Sequence, residues 1–224
     1  MPLRGLIHAH SWYSFDSLLP ARAYLACARA RHLDFLCLTD HGSIAGSQEL
    51  ARRNRDPGLE VVIGAEYATD RGDVIGLFLR REIRARRWVD VVAEIHGQGG
   101  LVLLPHPYRH RPPDDGLWPD VDLVEVFNAR TSLAGNERAR EAAAQHGLPA
   151  IAGADTHTAL ELATNRTLVT IDGQGDLRSR LLAADRDLGA VPAPALVVHY
   201  TRVVKAAKRR LPRLPRRAVP SAEP

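Results

Sequence analysis

Short apolar runs recur along this chain, and most are followed within a few residues by a histidine or a carboxylate. Leu3–Ile7 leads into His8-Ala9-His10, and Leu33–Leu38 into Asp40-His41. Leu59–Ile63 leads into Glu66, Leu101–Leu104 into His106, and Ala150–Ala152 into Asp155-Thr156-His157. Residues two apart on an extended strand point to the same side, so His8 and His10 can face one point. Helix-like stretches separate the strand-like runs: Pro20–Arg31, Ser43–Asn54 with Ser43 as its expected cap, Trp88–Gln98, Ser132–His146 and Leu177–Ala184. Val74–Leu79, Leu123–Phe127 and Arg166–Ile171 read as further strands. A β/α alternation of about seven units predicts a parallel sheet. Metal-type residues after five strands converge on one place only if that sheet closes, at the C-terminal mouth of a barrel. The expected fold is α/β, a TIM-like barrel of about seven β/α units.

The 224 residues, 45% hydrophobic and 25% charged, suit one domain with a buried core, expected over 1–198. No apolar run approaches bilayer length, and the N-terminus carries no signal segment. Cys27 and Cys37 are expected as free thiols, which with those absences predicts a cytoplasmic protein. The positive net charge of +4 is misleading, because residues 199–217 hold eight Lys or Arg and no acid. The body is therefore net acidic, which argues against a stable nucleic-acid complex. The segment 199–224 is expected as a basic tail of poor amphipathicity, in which Tyr200–Arg210 can continue as a helix, solvated and disordered from about 212, with contact to anionic surfaces as the alternative.

Any single strand-end histidine is ordinarily a hydrogen-bonded core residue. His8, His10, His41, His106 and His157 together with Asp16, Glu66 and Asp155 form too large a polar set to bury at one mouth without a metal. Of the ten histidines, His32 and His146 lie near helix ends where a cation complements the dipole. His96 and His199 face solvent, and His110 is retained as a further candidate. Mixed imidazole and carboxylate donors suit Zn, Mn or Fe. The donors are too many for one ion, so two or three ions with Glu66 bridging are expected. Such sites clamp the attacking and leaving oxygens in phosphate-ester hydrolysis.

The ordered set His8-x-His10, Asp16, Thr39-Asp40-His41-Gly42, Gly64-Ala65-Glu66, His106-Pro107 and Gly153-Ala154-Asp155-x-His157 resembles the PHP family, the polymerase and histidinol phosphatase domains. The resemblance covers roughly residues 4–172. It implies a distorted seven-stranded β/α barrel with two or three ions, commonly Mn, Zn or Fe, and phosphoesterase activity. By position, His8, His10, Glu66 and Asp155 would hold one ion, and Asp16, His41 and His157 a second. Glu66 and His106 would share a third. There the chain departs from the family, with Asp73 where a histidine is usual; Asp73 is expected as a ligand, the alternative being a solvent-facing strand residue. Asp40, Glu66, Arg109 and Asn128 are the catalytic candidates, and Arg109, Arg111 and Arg130 the substrate-binding ones. Trp12, Tyr13 and Phe15 are expected to pack as a loop over the site.

The implied activity is hydrolysis of a small phosphomonoester, of nucleotide, sugar phosphate or histidinol phosphate type, by a metal-activated water. The partner is that small substrate; the oligomeric state is not legible. The alternatives are a protein-tyrosine phosphatase, a short-oligonucleotide exonuclease, an amidohydrolase-type metal hydrolase and a non-catalytic binding module. The amidohydrolases that bridge metals with a carboxylated lysine are excluded, since the first lysine is Lys205.

Overall fold

The computed structural model describes residues 1–164, 167–183 and 186–210. Nine strands are present among them: β1 (Leu3–Ile7), β2 (Phe35–Leu38), β3 (Glu60–Thr69), β4 (Gly72–Leu77), β5 (Leu101–Leu104), β6 (Leu123–Asn128), β7 (Ala150–Gly153), β8 (Leu168–Ile171) and β9 (Arg186–Gly189). The helices are α1 (Arg22–Arg31), α2 (Ala45–Arg53), α3 (Trp88–Gly97), α4 (Leu133–Gln145), α5 (Ala159–Thr164), α6 (Leu177–Ala183) and α7 (Ala195–Arg210), with a 3-10 turn at Asp115–Asp120. One sheet runs in the order β7-β6-β5-β4-β3-β2-β1-β8-β9. It curls until β7 meets β1, where Ala154 N donates to Ile7 O at 2.9 Å and His10 N to Thr156 O at 2.8 Å. The result is the expected α/β fold, a nearly closed barrel.

Alternation along each strand divides the core. Ile7, Cys37, Ile75, Leu77, Leu101 and Leu103 pack together inside the barrel. Their neighbours Leu6, Leu36 and Leu38 face one group of helices, and Val74, Val102 and Leu104 another. This period of two is what a sheet covered by helices requires.

The structure corrects the all-parallel expectation. β3 and β4 form an antiparallel hairpin, because Asp70-Arg71 leaves no room for a crossover helix. β4 is antiparallel to β5 as well, and β8 lies antiparallel on β1. β9, α5 and the 3-10 turn had no sequence signal strong enough to be read. Ser43 does not cap α2: the cap position is Ile44, without a side-chain bond. Ser43 Oγ instead accepts from Ala45 N at 3.2 Å and donates to Glu82 at 2.7 Å. Ser132 does cap α4, accepting from Gly135 N at 3.1 Å.

Part of the expected tail is ordered helix. Val197, Thr201 and Val204 on α7 are buried, so this helix has an inward face, and position 198/199 falls inside it. Residues 211–224, expected to be disordered, lie outside the described residues, as do Arg166 and Ala184 at the edges of expected elements. Cys27 and Cys37 are free thiols. No helix among the described residues is long and apolar enough to cross a membrane.

Candidate metal centre

Eight side chains meet where the strands end. Their donor atoms fall into three groups, each within 4.8 Å: His10, Asp16, His41 and His157; His8, Glu66 and His106; and His8, His10 and Asp155. Glu66 joins them. Its Oε2 lies 3.4 Å from His8 Nε2, 3.4 Å from His10 Nε2 and 3.3 Å from His41 Nδ1. Its Oε1 lies 3.2 Å from His106 Nε2. Asp16 Oδ2 is 3.2 Å from both His41 Nε2 and His157 Nε2. Asp155 Oδ1 is 3.6 Å from His8 Nε2 and 3.5 Å from His10 Nε2.

These residues fit metal ions. His8 Nε2, His10 Nε2, Asp16 Oδ1 and Glu66 Oε2 are buried and have no hydrogen-bond partner. Leaving such atoms unpaired is costly. With bonds of 2.0–2.1 Å, ligand atoms around a tetrahedral ion sit about 3.4 Å apart, which is the spacing seen here. Imidazole and carboxylate together suit Zn, Mn or Fe.

The far sides of the rings are fixed by the fold. His8 Nδ1 donates to Glu125 Oε1 at 2.7 Å, His157 Nδ1 donates to Asp155 O at 2.8 Å, and His10 Nδ1 faces Ser14 Oγ at 3.1 Å. Ser14 sends its proton to Asp40 Oδ1 at 2.9 Å, so it accepts from His10. Each of the three rings therefore presents Nε2 to the centre. Carboxylate and carbonyl partners of this kind hold a metal-binding ring in the right tautomer. Asp40 also accepts from Ser11 N and Oγ at 2.5 and 2.7 Å; it anchors the loop carrying Asp16 and does not cap α2.

Protonation follows the surroundings. Burial, then the neighbouring His157 and His41, pushes His10 down to about 3. His41 is lowered by burial but raised more by the Glu66 and Asp16 carboxylates, reaching about 9. Burial opposes ionisation of Asp16, Glu66 and Asp155, yet each ends below its ordinary range. Contacts with His157 and His41 do this for Asp16, and His41 and His8 for Glu66. Arg109 and His8 do it for Asp155.

The backbone is bent to aim three of the ligands. His8 (φ 61°), His106 (φ 32°) and Asp155 (φ 46°) adopt the left-handed region, which non-glycine residues rarely occupy. Each lies just beyond a strand end, where the turn of the chain swings the side chain toward the axis.

Glu125 is a member of the site that the sequence reading missed. It is fully buried on β6 and accepts from His8 Nδ1, from His106 N at 2.8 Å and from Asn128 Nδ2 at 2.9 Å. The signal was present as an acid at an inward position of the apolar run Leu123–Phe127. Gly153 opposite leaves it room, since a Cβ there would run into the Glu125 carboxylate.

The remaining candidates separate. Arg109 pairs with Asp155 Oδ2 and donates to Asn128 Oδ1 at 2.5 Å. Asn128 Nδ2 donates to Asp155 Oδ2 at 3.2 Å; both residues brace Asp155. Asp73 pairs in register with Ala68 and so shares a sheet face with Glu66, but lies outside the three groups. Burial, then the Glu66 charge, raises its carboxyl. Asp73, His106, His110 and Arg111 line a cleft of about 100 Å³. Arg130 is not brought to the centre; its side chain is only 8% exposed, paired with Glu161 at 2.9 Å and bonded to Thr201. Glu161, also missed, accepts from the backbone N of His157 and Thr158 at 2.8 and 2.9 Å. In the aromatic loop, Phe15 stacks on His41 at 4.5 Å, while Trp12 is half exposed.

Known proteins share this arrangement. The PHP domain model matches residues 7–110, and the PHP-associated model residues 134–185. The uncharacterized protein MJ1587 of Methanocaldococcus jannaschii is 35% identical over 141 residues, covering 57% of this chain and 82% of that protein. A two-domain protein from Bacteroides vulgatus, containing a predicted PHP-like metal-dependent phosphoesterase, superposes with a TM-score of 0.68 at 20% identity over 81% of this chain. This chain spans 62% of that protein's length. Endonuclease Q, in complex with a 27-mer duplex bearing an abasic lesion at its active site, gives a TM-score of 0.58 at 16% identity, covering 81% of this chain and 55% of that one. Ligand order, barrel and matched segments agree, and the chain belongs to the PHP domain family.

Proposed function

We propose that this chain is a metal-dependent phosphoesterase that hydrolyses a small phosphomonoester, of nucleotide, sugar phosphate or histidinol phosphate type, using two or three Mn, Zn or Fe ions. The observation that carries this reading is Glu66. One carboxylate oxygen without a hydrogen-bond partner lies 3.3–3.4 Å from three imidazole nitrogens, those of His8 and His10 on one segment and His41 on another. His8, His10, Glu66 and Asp155 would hold one ion, Asp16, His41 and His157 a second, and His106 with Glu66 a third. Asp73 stands beside the third.

When bound, the ions supply a water acidic enough to attack near neutral pH and neutralise charge on the phosphoryl oxygens. The chain's own contribution is position. Glu125, Ser14 and the Asp155 carbonyl orient the rings of His8, His10 and His157. Arg109 and Asn128 hold Asp155 with one oxygen turned inward. Arg111 stands on the cleft wall, where its guanidinium can meet a phosphate. The net acidic body outside the basic tail supports a small substrate, and the free thiols of Cys27 and Cys37 support a cytoplasmic setting.

Metal content and release of inorganic phosphate from a phosphomonoester panel, with added Mn, test the proposal together. Bound metal with Mn-stimulated release is expected, and the His8→Ala/His10→Ala double variant should lose both. Absence of both metal and release in the unaltered protein overturns the reading.

A further inference from the structure

We propose that Lys208 is a positioning residue for Asp16, and that α7 thereby governs metal occupancy of the Asp16, His41 and His157 group. The inference rests on the metal-centre reading above. Asp16 sits on a loop closed by a bond from Trp12 N to Leu19 O at 2.7 Å. Lys208 Nζ donates to three carbonyls of that loop: Trp12 O at 2.7 Å, Ser14 O at 2.6 Å and Ser17 O at 2.7 Å. These three bonds use every donor of an ammonium group, and they enclose the stretch that holds Asp16. A guanidinium is planar and presents its donors as a flat fork, so it cannot reproduce a three-way cap.

Residue choice agrees with the geometry. Of 30 Lys and Arg residues only two are lysines, and both lie on α7 one turn apart. Each rests over an aromatic ring of the Asp16 loop: Lys205 is 4.7 Å from the Phe15 centroid and Lys208 5.5 Å from that of Trp12. Phe15 in turn stacks on His41. A second link reaches the other end of the same group. Thr201 on α7 bonds Arg130, Arg130 pairs with Glu161, and Glu161 accepts from His157 N. One helix therefore holds two ligand-bearing segments of a single group, while His8 and Glu66 sit on other walls.

The test compares Lys208→Met, Lys208→Arg and Lys205→Met with the unaltered full chain. It reads bound Mn per chain after dialysis, Mn affinity by chelator competition, and amide-exchange protection of residues 12–17. Both Lys208 variants should bind their weakest Mn about tenfold or more less tightly, within the range for residues that orient metal ligands. Both should lose protection over 12–17, with Lys205→Met weakening metal binding less than either, since it keeps the three carbonyl bonds. Because melting temperature is recorded alongside, a variant that simply unfolds is recognised, and Lys208→Arg, which keeps charge and length, then decides. Equal metal content and protection in folded Lys208→Arg and the parent overturn the inference alone. A parent that binds no metal overturns the metal-centre reading instead.

Discussion

Glu125 Oε1 lies 2.7 Å from His8 Nδ1, and both side chains are fully buried. The same carboxylate caps His106 N and Asn128 Nδ2 through its other oxygen. Two ligands of the centre therefore depend on one residue that contacts no ion. Glu125→Gln should weaken metal binding about 10–100-fold, as read by chelator competition. Unchanged affinity would show that His8 holds its ring orientation without the carboxylate.

Gly153 is the reverse face of that contact. Gly153→Ala drives a methyl group into Glu125. It should cost about 1–3 kcal/mol in urea unfolding, as overpacking does, and should lower metal affinity in the same direction as Glu125→Gln. A stable variant with parental affinity would mean the carboxylate can move aside freely.

Removing metal should introduce a pH dependence. In the metal-free protein His41 is raised to about 9, above its unfolded value of about 6.5. Its contribution is fully present below about 6.5 and is lost as pH rises through 9. Metal-free protein should therefore lose urea resistance from this group between those values. Metal-loaded protein should be flat from this group over the same window, because His41 is deprotonated both on the metal and in the unfolded chain. Urea midpoints across pH 6.5 to 9, with and without chelator, check both limbs. Parallel curves would refute the assignment of His41.

Arg130 and Glu161 form a pair with side chains 8% and 0% exposed. Arg130→Ala strands Glu161 as an uncompensated buried charge and should cost about 3–5 kcal/mol. If thermal and urea unfolding show a loss below 1 kcal/mol while phosphate release collapses, Arg130 acts on substrate after all.

Asp73→His adds an imidazole on the Glu66 face next to His106. It should raise the number of Mn ions retained after dialysis, or tighten the last one bound. Unchanged stoichiometry and affinity would show that position 73 takes no part in the centre.

Most ligands were legible because they follow strands, and strand ends converge in a barrel; Glu66 lies within β3 and Asp16 in the loop beyond β1. The residues that orient them were not. Glu125 sits in the run Leu-Val-Glu-Val-Phe, where apolar neighbours mask it, and its inward direction is set by register with β7. Glu161 lies on a helix too short to read. The antiparallel hairpin was hidden because its strands read as ending near Ile63 and starting at Val74, a gap that conceals the two-residue turn Asp70-Arg71. Lys208 read as part of a basic tail; its role depends on three carbonyls almost two hundred residues away, a distance no local pattern encodes.

The barrel closes between β1 and β7 through bonds at Ala154, His10 and Thr156, and His8, Asp155 and His157 flank those same bonds. The last join of the wall and the metal centre thus occupy one line of the molecule. Ligand bonds there would act as stitches along a seam, so ions that load the centre would also hold the last join of the barrel shut.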